Sequence, residues 1–297
     1  MYKIGVVILN YKNYKMTEDC VEDLLRLQAP VQIIIVDNNS QNNSFAYLSS
    51  KFENNMQIDV IANDRNCGYA AGNNCGIRYL IRNHNNVLYV CIMNPDVRIG
   101  YKEVFQSLAD QLNRDEKIAA ITGLMITNSV LNLNSCYWNA PKGLDAAIGH
   151  FILAKMRHQK LVCNYDGVAY VDVIPGSFFM MKRSFFEKIG GLDEGTFLYN
   201  EENILALKVK ELGMVNALSI GDYYYHNHIH GSRKSLKYKL LSRKNGNQSR
   251  RYLCKLYFGK KEQIILEVVI VLNYVTIIIQ HICGSIIRFF RRRDKHL

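Results

Sequence analysis

A chain of 297 residues, 48% hydrophobic and with four prolines, is long enough to bury one large α/β core plus an appendage and too apolar to be disordered. Its formal net charge of +11 is not spread evenly: residues 233–297 hold 16 Lys/Arg against three acids, leaving 21 against 23 over residues 1–232. A near-neutral body with a strongly basic tail points to a polyanionic partner for the tail, either nucleic acid or an anionic membrane surface. The eight cysteines form no CxxC pair, which disfavours a zinc site, and several fall in apolar runs where a thiol behaves as a small hydrophobe. With no secretory pattern at the N-terminus, the expected setting is the reducing cytoplasm.

In chain order, Ile4 to Leu9 reads as a first strand and Asn10 to Asn13 as a loop. A helix follows from Met16 to Gln28, stopped by Pro30. Ile33–Val36, Ile58–Ile61 and Val87–Met93 are further strands, separated by helices near Phe45–Phe52 and Ala70–Arg82. This alternation predicts a mostly parallel, helix-covered sheet. Residues 101–114 are predicted helical and Ile118–Met125 a strand, whereas 127–165 carries no clear period. Tyr170–Ile174 and Ser177–Lys182 resume the strand pattern. Then come a short helix over Arg183–Ile189, a helix from Glu201 to Leu212 capped by Gly213, and a strand over Asp222–Tyr225.

Three segments place a carboxylate just after an apolar run: Asp37 after Ile33–Val36, Asp96 after Val87–Met93, and Glu201-Glu202 after Phe197-Leu198-Tyr199. In open α/β sheets ligands sit at the carboxyl ends of the strands, so acids on that rim suggest a site for a metal and a phosphorylated substrate. The first strand is followed by Asn10-Tyr11-Lys12-Asn13-Tyr14, with no glycine, and no GxxxxGK[ST] occurs. Dinucleotide and P-loop chemistry are therefore disfavoured.

Five blocks stand in order: Val6 to Tyr11; Ile35-Val36-Asp37-Asn38-Asn39-Ser40; Asn66 to Gly76; Met93-Asn94-Pro95-Asp96; and Gly176-Ser177-Phe178-Phe179 through Gly190-Gly191-Leu192-Asp193-Glu194 to Tyr199-Asn200-Glu201-Glu202. Over residues 4–232 this pattern resembles the inverting family 2 glycosyltransferases of the GT-A fold, in particular the rhamnosyltransferase-like branch of bacterial surface-polysaccharide enzymes. The resemblance implies a GT-A domain over 1–232, a nucleotide-sugar donor (UDP- or dTDP-linked), and a glycan acceptor carried on a lipid. It assigns donor contacts to Asn10, Tyr11, Asp37, Asn38, Asn66, Gly68, Asn74, Asn94 and Asp96. Asp37 takes the base or ribose hydroxyls, with an N-cap of the following helix as its simpler reading. The glycines of the Asn66–Gly76 block would let backbone approach the nucleotide, although such glycines are also ordinary turn residues.

The resemblance further places a divalent cation, Mg²⁺ or Mn²⁺, on Asp96, where one carboxylate, donor phosphates and waters suffice. A turn acid after Pro95 is the bland alternative. Glu202, beside Glu201, falls where the family has its general base; two acids at a helix N-terminus also suit the helix dipole without any chemistry. Ile204 and Lys208 depart from the family's usual Asp and Arg. In His226-Asn227-His228-Ile229-His230, His226 and His228 are the candidates for metal or phosphate contact, against idle surface histidines.

The tail, residues 233–297, is a separate region. Ile264 to Phe290 is apolar except for a narrow polar stripe, and Arg291-Arg292-Arg293 closes it. Glu267 and Gln280-His281 would be costly inside a bilayer. An interfacial helix on an anionic membrane surface is thus favoured over a span, with packing on its own domain or in a homodimer as alternatives. The combined expectation is a peripheral enzyme on the inner face of the cell membrane. A nucleotidyltransferase lacks its glycine-rich basic signature here. A catalytically silent glycan- or nucleic-acid-binding protein is the rival from another class; nucleic acid suits the basic tail but not its apolar helix.

Overall fold

The computed structural model describes residues 3–148, 160–164, 167–227 and 236–293, with side chains up to residue 280. Two compact units emerge: Met1–Ala140 with Arg157–His230, and Pro141–Met156 with Gly231–Leu297. Pro141–Met156, placed by sequence inside a 1–232 domain, therefore groups with the tail.

The first unit opens with β1 (Ile4–Asn10), α1 (Tyr14–Arg26), β2 (Val31–Asp37), α2 (Ser44–Phe52), β3 (Ile58–Ala62), α3 (Tyr69–Asn83) and β4 (Tyr89–Met93). Asn13 caps α1 by accepting from the Met16 amide at 3.3 Å. The helix ends two residues before the predicted Gln28, which takes a left-handed φ of 52°. Then follow β5 (Val97–Ile99), α4 (Glu103–Arg114), β6 (Ile118–Thr127), β7 (Val130–Leu131), and α5 (Leu133–Cys136). The second unit contributes α6 (Leu144–Ile148), after which the first resumes with β8 (Val168–Val171), β9 (Phe178–Lys182), α7 (Arg183–Lys188), α8 (Glu201–Glu211) and β10 (Val215–His226). The second unit ends with α9 (Leu236–Tyr257) and α10 (Lys260–Arg293).

Along the sheet the described strands run β3-β2-β1-β4-β9-β6-β10-β5, with β7 on β6 and β8 on β10. Strands β1 to β4 are mutually parallel. β9 runs against both β4 and β6, and β10 runs with β6. The carboxyl ends of β1, β2, β4 and β10 therefore share one edge, which brings Asn10, Asp37, Asn94-Pro95-Asp96 and His226 to the same rim.

Burial on both faces explains why these strands are continuous apolar runs rather than alternating ones. Side chains of one strand parity, Val6, Ile8, Ile33 and Ile35, join α1 and α4 in one core; those of the other, Val7, Ile34 and Val36, join α3, α7 and α8. Gly76 sits where α3 crosses the strands, and a methyl there would lie 2.5 Å from Val7 Cγ1 and 2.7 Å from Val36 Cγ2. G76A is expected to cost about 1–3 kcal/mol through overpacking, read as a lowered urea midpoint with an unchanged slope.

Candidate functional site

The rim is built from β-strand ends that turn sharply. Asn10 and Asp37 are paired in the β1–β2 register and both are buried. Asn10 Nδ2 donates to Asp37 Oδ2 at 2.6 Å, the Ser40 hydroxyl donates to the same oxygen at 2.6 Å, and the Ser40 amide donates to Oδ1 at 2.9 Å. Thr17 Oγ1 in turn donates to Asn10 Oδ1 at 2.9 Å. Asp37 is thus the anchor of a closed polar network that fixes the loop after β2. Asn10, which the resemblance assigns to the donor, does the same structural work. Tyr11, one residue on, is 48% exposed, with Lys12 Nζ 5.0 Å from its ring centroid.

The Asn66–Gly76 block serves packing more than nucleotide approach. Gly68 has φ +100°, and a Cβ on it would meet the Phe197 carbonyl oxygen at 2.3 Å; the next amide, Tyr69 N, donates to that same carbonyl at 2.9 Å. The bare face of Gly68 is taken by the chain leading into α8. Asn38 Nδ2 donates to Asn66 Oδ1 and the Gly68 carbonyl at 3.0 and 3.2 Å, which ties the two loops together. Asn74, expected at the donor, is fully buried. Its Nδ2 donates to the Leu192 carbonyl and Glu194 Oε1, both at 2.8 Å, and its Oδ1 accepts from the Leu192 amide at 2.9 Å. It is not free for a ligand, because every polar atom of Asn74 is satisfied inside the fold, where it pins the 190–194 loop.

Asp96 follows β4, in a turn held by Arg98. Arg98 Nη1 donates to the carbonyls of Pro95 and Val97 at 2.8 and 2.7 Å, and its Nε lies 2.6 Å from Asp23 Oδ2. β5 then pairs with the end of β10, Val97 opposite His226, and this register sets His226 Nε2 3.2 Å from Asp96 Oδ1. A carboxylate oxygen and an imidazole nitrogen at that separation are a donor set suited to Mn²⁺ or Mg²⁺, with remaining positions for phosphate and water. Among the described residues no group of three His, Cys, Asp or Glu forms a metal centre. His228 lies outside the described residues.

Glu201 and Glu202 open α8 after two residues with left-handed backbones, Tyr199 at φ 72° and Asn200 at φ 69°. Paired strain of this kind at a helix start marks a constrained site. Ile174, Phe179, Leu192 and Leu205 pack closely around the two carboxylates, leaving a crevice of only about 10 Å³. Burial in those apolar walls, reinforced by the neighbouring charge of Glu202, raises the Glu201 carboxyl to about 8. Burial also raises that of Glu202, partly offset by its own amide and that of Gly176. Glu201 Oε2 has no hydrogen-bond partner. Gly176 leaves room for Glu202, since a methyl would come 2.9 Å from its Oε1.

Tyr69 links the two halves. Its hydroxyl donates to the Gly176 carbonyl at 2.5 Å, with Asn94 Oδ1 3.1 Å away. Burial and the charges of Glu201, Glu202 and Asp96 push its phenol well above the ordinary range. Tyr69 therefore stands among the acids of both segments. It sits in the quoted sequence block, but nothing in its spacing distinguishes it from a core aromatic.

A mixed α/β sheet carrying an acid–imidazole pair and a glutamate pair at its carboxyl edge defines a GT-A-type nucleotide-diphospho-sugar transferase fold. Residues 5–190 match the Glycosyl transferase family 2 profile, and the chain belongs to that family. It is 27% identical over 200 residues to the low-salt glycan biosynthesis hexosyltransferase Agl10 of Haloferax volcanii, which covers 67% of this chain and 59% of the relative. The match thus spans less than two thirds of that relative's length. Among solved structures, GalNAc-T7 with UDP, GalNAc and Mn²⁺ superposes with a TM-score of 0.61 at 14% identity, over 81% of this chain and 47% of that one. The mannosyltransferase PcManGT of Pyrobaculum calidifontis with GDP-Man and Mn²⁺ gives 0.57 at 11% identity, over 97% and 80%. At such identities these two show the fold.

The Asp37 network has a direct consequence. D37A removes the acceptor of three buried donors, of which Asn10 Nδ2 keeps Ser40 Oγ at 3.2 Å, and is expected to lower stability by about 2–4 kcal/mol. Chemical denaturation measures this, and D37N should recover part of the loss.

Proposed function

We propose that this chain transfers a sugar, with inversion, from a nucleotide-diphosphate donor to a hydroxyl of a glycan acceptor borne on a lipid, in surface-glycan assembly. The observation that carries this reading is the juxtaposition around Tyr69 of the Asp96 segment and the Glu201–Glu202 pair. It puts a cation-binding acid and a candidate base at one rim.

Asp96 and His226 would hold Mg²⁺ or Mn²⁺, as the Mn²⁺-bound neighbours of this fold suggest. When bound, the cation would offset charge gathering on the departing diphosphate. The exposed ring of Tyr11 offers a stacking face for the base, and Asn10, Asp37 and Asn38 shape the pocket floor behind it. UDP- and dTDP-sugars are the favoured donors. Glu202 takes the acceptor hydroxyl proton as the oxygen attacks the anomeric carbon. Its raised proton affinity brings a carboxylate closer to the working pH of a base, and the apolar walls keep water from competing. Glu201, beside it, is held protonated by burial in the same apolar walls. Tyr69 and Arg98 are positioning residues: they fix the Asp96 turn and the Gly176 loop relative to one another.

The described part of α10 contains one helix, Lys260–Gln280, long and apolar enough to cross a membrane. We favour an interfacial placement on the cytoplasmic leaflet, with the basic residues of the tail on headgroups.

E202Q is expected to reduce kcat by about 10²–10⁴-fold while Mn²⁺-dependent donor binding, measured by calorimetry, persists. Retained transfer in E202Q would reject this base. D96N should instead weaken Mn²⁺-dependent donor binding.

The pH dependence has a definite sign. The base acts ionised and burial raises its proton affinity, so kcat/KM rises with pH beyond the ordinary carboxylate range rather than levelling just above it. Burial sets the direction of the Glu202 shift, so E201Q leaves the rising limb in place. The raised Glu201 carboxyl makes folding stability fall between about 4.5 and 8, because the unfolded glutamate releases its proton first.

A further inference from the structure

Glu202 is enclosed by the start of α8 and by segment 173–176, and one residue outside both is fastened to each. Trp138, the chain's one tryptophan, lies just beyond α5. Its indole Nε1 donates at 2.9 Å to Oδ1 of Asn203, the residue that follows Glu202. Asn203 Nδ2 in turn donates to Asn200 Oδ1 at 3.1 Å, and Asn200 is one of the two left-handed residues that lead into the helix. Such a backbone persists only where its surroundings hold it.

The main chain of Trp138 makes the second attachment. Its amide donates to the Val173 carbonyl at 3.2 Å, and its carbonyl accepts from the Val173 amide at 3.0 Å. Ile174, the next residue, lines the crevice around the two carboxylates, and Gly176 stands against Glu202 Oε1. The Trp138 side chain packs on Ala140, Val173 and Ala206. Ala206 comes four residues after Glu202, so the two are neighbours on one face of α8. The attachment continues along the helix. The Ala140 amide donates to Asp172 Oδ2 at 3.0 Å, and Lys210 Nζ, near the far end of α8, meets Asp172 Oδ1 at 2.8 Å.

We propose that Trp138 is a positioning residue for Glu202: acting through Asn203, it locks the first turn of α8 against segment 173–176 and so fixes the carboxylate that receives the acceptor proton. This rests on the reading of Glu202 as the base. A neutral donor suits the task. A Lys or Arg in its place would draw down the proton affinity that burial raises, whereas an indole N–H fixes geometry alone. A reacting group misplaced by about 1 Å can lose roughly 10²-fold in rate.

The test compares the full chain with W138F, which keeps a ring and removes the N–H, with N203A, and with the double variant. Wild type is given a panel of UDP- and dTDP-sugars with Mn²⁺, and hydrolysis of the sugar it turns over fastest is followed. Both single variants should lose about 10–100-fold in kcat with the donor Kd, measured by calorimetry, unchanged. The double variant should lose no more than either alone, because the two side chains act through one bond. A loosened α8 start admits water to Glu202, so the rising limb of kcat/KM should move to lower pH in both. Facing Glu202 are Glu201 on its own helix and Tyr69 on α3, and these variants alter neither. The same shift should appear without turnover in the carbon-13 NMR titration of the Glu202 carboxyl, assigned by its loss in E202Q.

Unchanged kcat in N203A, or additive losses in the double variant, would overturn the proposal. So would a lowered Tm with an unmoved limb and an unmoved carboxyl titration, which marks a tryptophan that only stabilises the fold. A wild type that hydrolyses no donor would strike the base reading alone. The carboxyl titration then decides the positioning by itself: a shift in W138F and N203A supports it, and none overturns it.

Discussion

The contact between the bare Cα of Gly68 and the carbonyl of Phe197 is the constraint on which the site depends. No side chain fits there, since even a methyl would sit 2.3 Å from the carbonyl oxygen, and the left-handed φ of Gly68 independently demands glycine. Because the two backbones touch, the Tyr69 amide is able to hold Phe197, and the loop entering α8 is drawn onto the start of α3. That single approach carries Glu201 and Glu202 to the rim already occupied by the ends of β1, β2 and β4. Tyr69, the first residue of α3, then spans to Gly176 and Asn94. Backbone proximity, rather than any ion pair, assembles the acids, and their burial in the packing around them appears as raised proton affinity.

The fold was largely readable in the residues because parallel strands buried on both faces leave an unmistakable mark. Ile33–Val36 and Val87–Met93 are apolar without alternation, and each ends on a polar residue at the ligand-bearing edge. What escaped was short or long-range. β5 is three residues whose identity as a strand depends on pairing with β10, and α9 is too polar and basic to announce a buried face. The region after Thr127, read as irregular, includes the turn at Asn128 and Ser129, both with φ above zero, that folds β7 back on β6.

At the rim, residue types were legible and their partners were not. An acid after a strand is visible in sequence. Whether its oxygens face a ligand or a neighbouring loop depends on contacts 27 and 30 positions away, as Asn10 shows for Asp37 and Ser40. Asn74 looked like a ligand contact because it stands in a Gly-Asn-rich stretch, yet its partners lie 118 and 120 residues further on. Tyr69 and Arg98 were missed for the complementary reason: an aromatic at a helix start and an arginine on a strand are ordinary, and only the assembled sheet gives them acids and carbonyls to hold. The Asp96–His226 pair lay between these cases, since both residues were suspected separately and the β5–β10 register joined them.

The central claim is that the Asp96 turn and the α8 glutamates serve one substrate. A crystal structure of the full chain with Mn²⁺ and a UDP-sugar analogue, phased so that the ion is located by its anomalous signal, tests this most directly. The account predicts manganese within coordination distance of Asp96 and His226, the donor diphosphate on the ion, and the sugar's anomeric carbon facing Glu202. Manganese bound away from Asp96, or a sugar pointing away from α8, would contradict it.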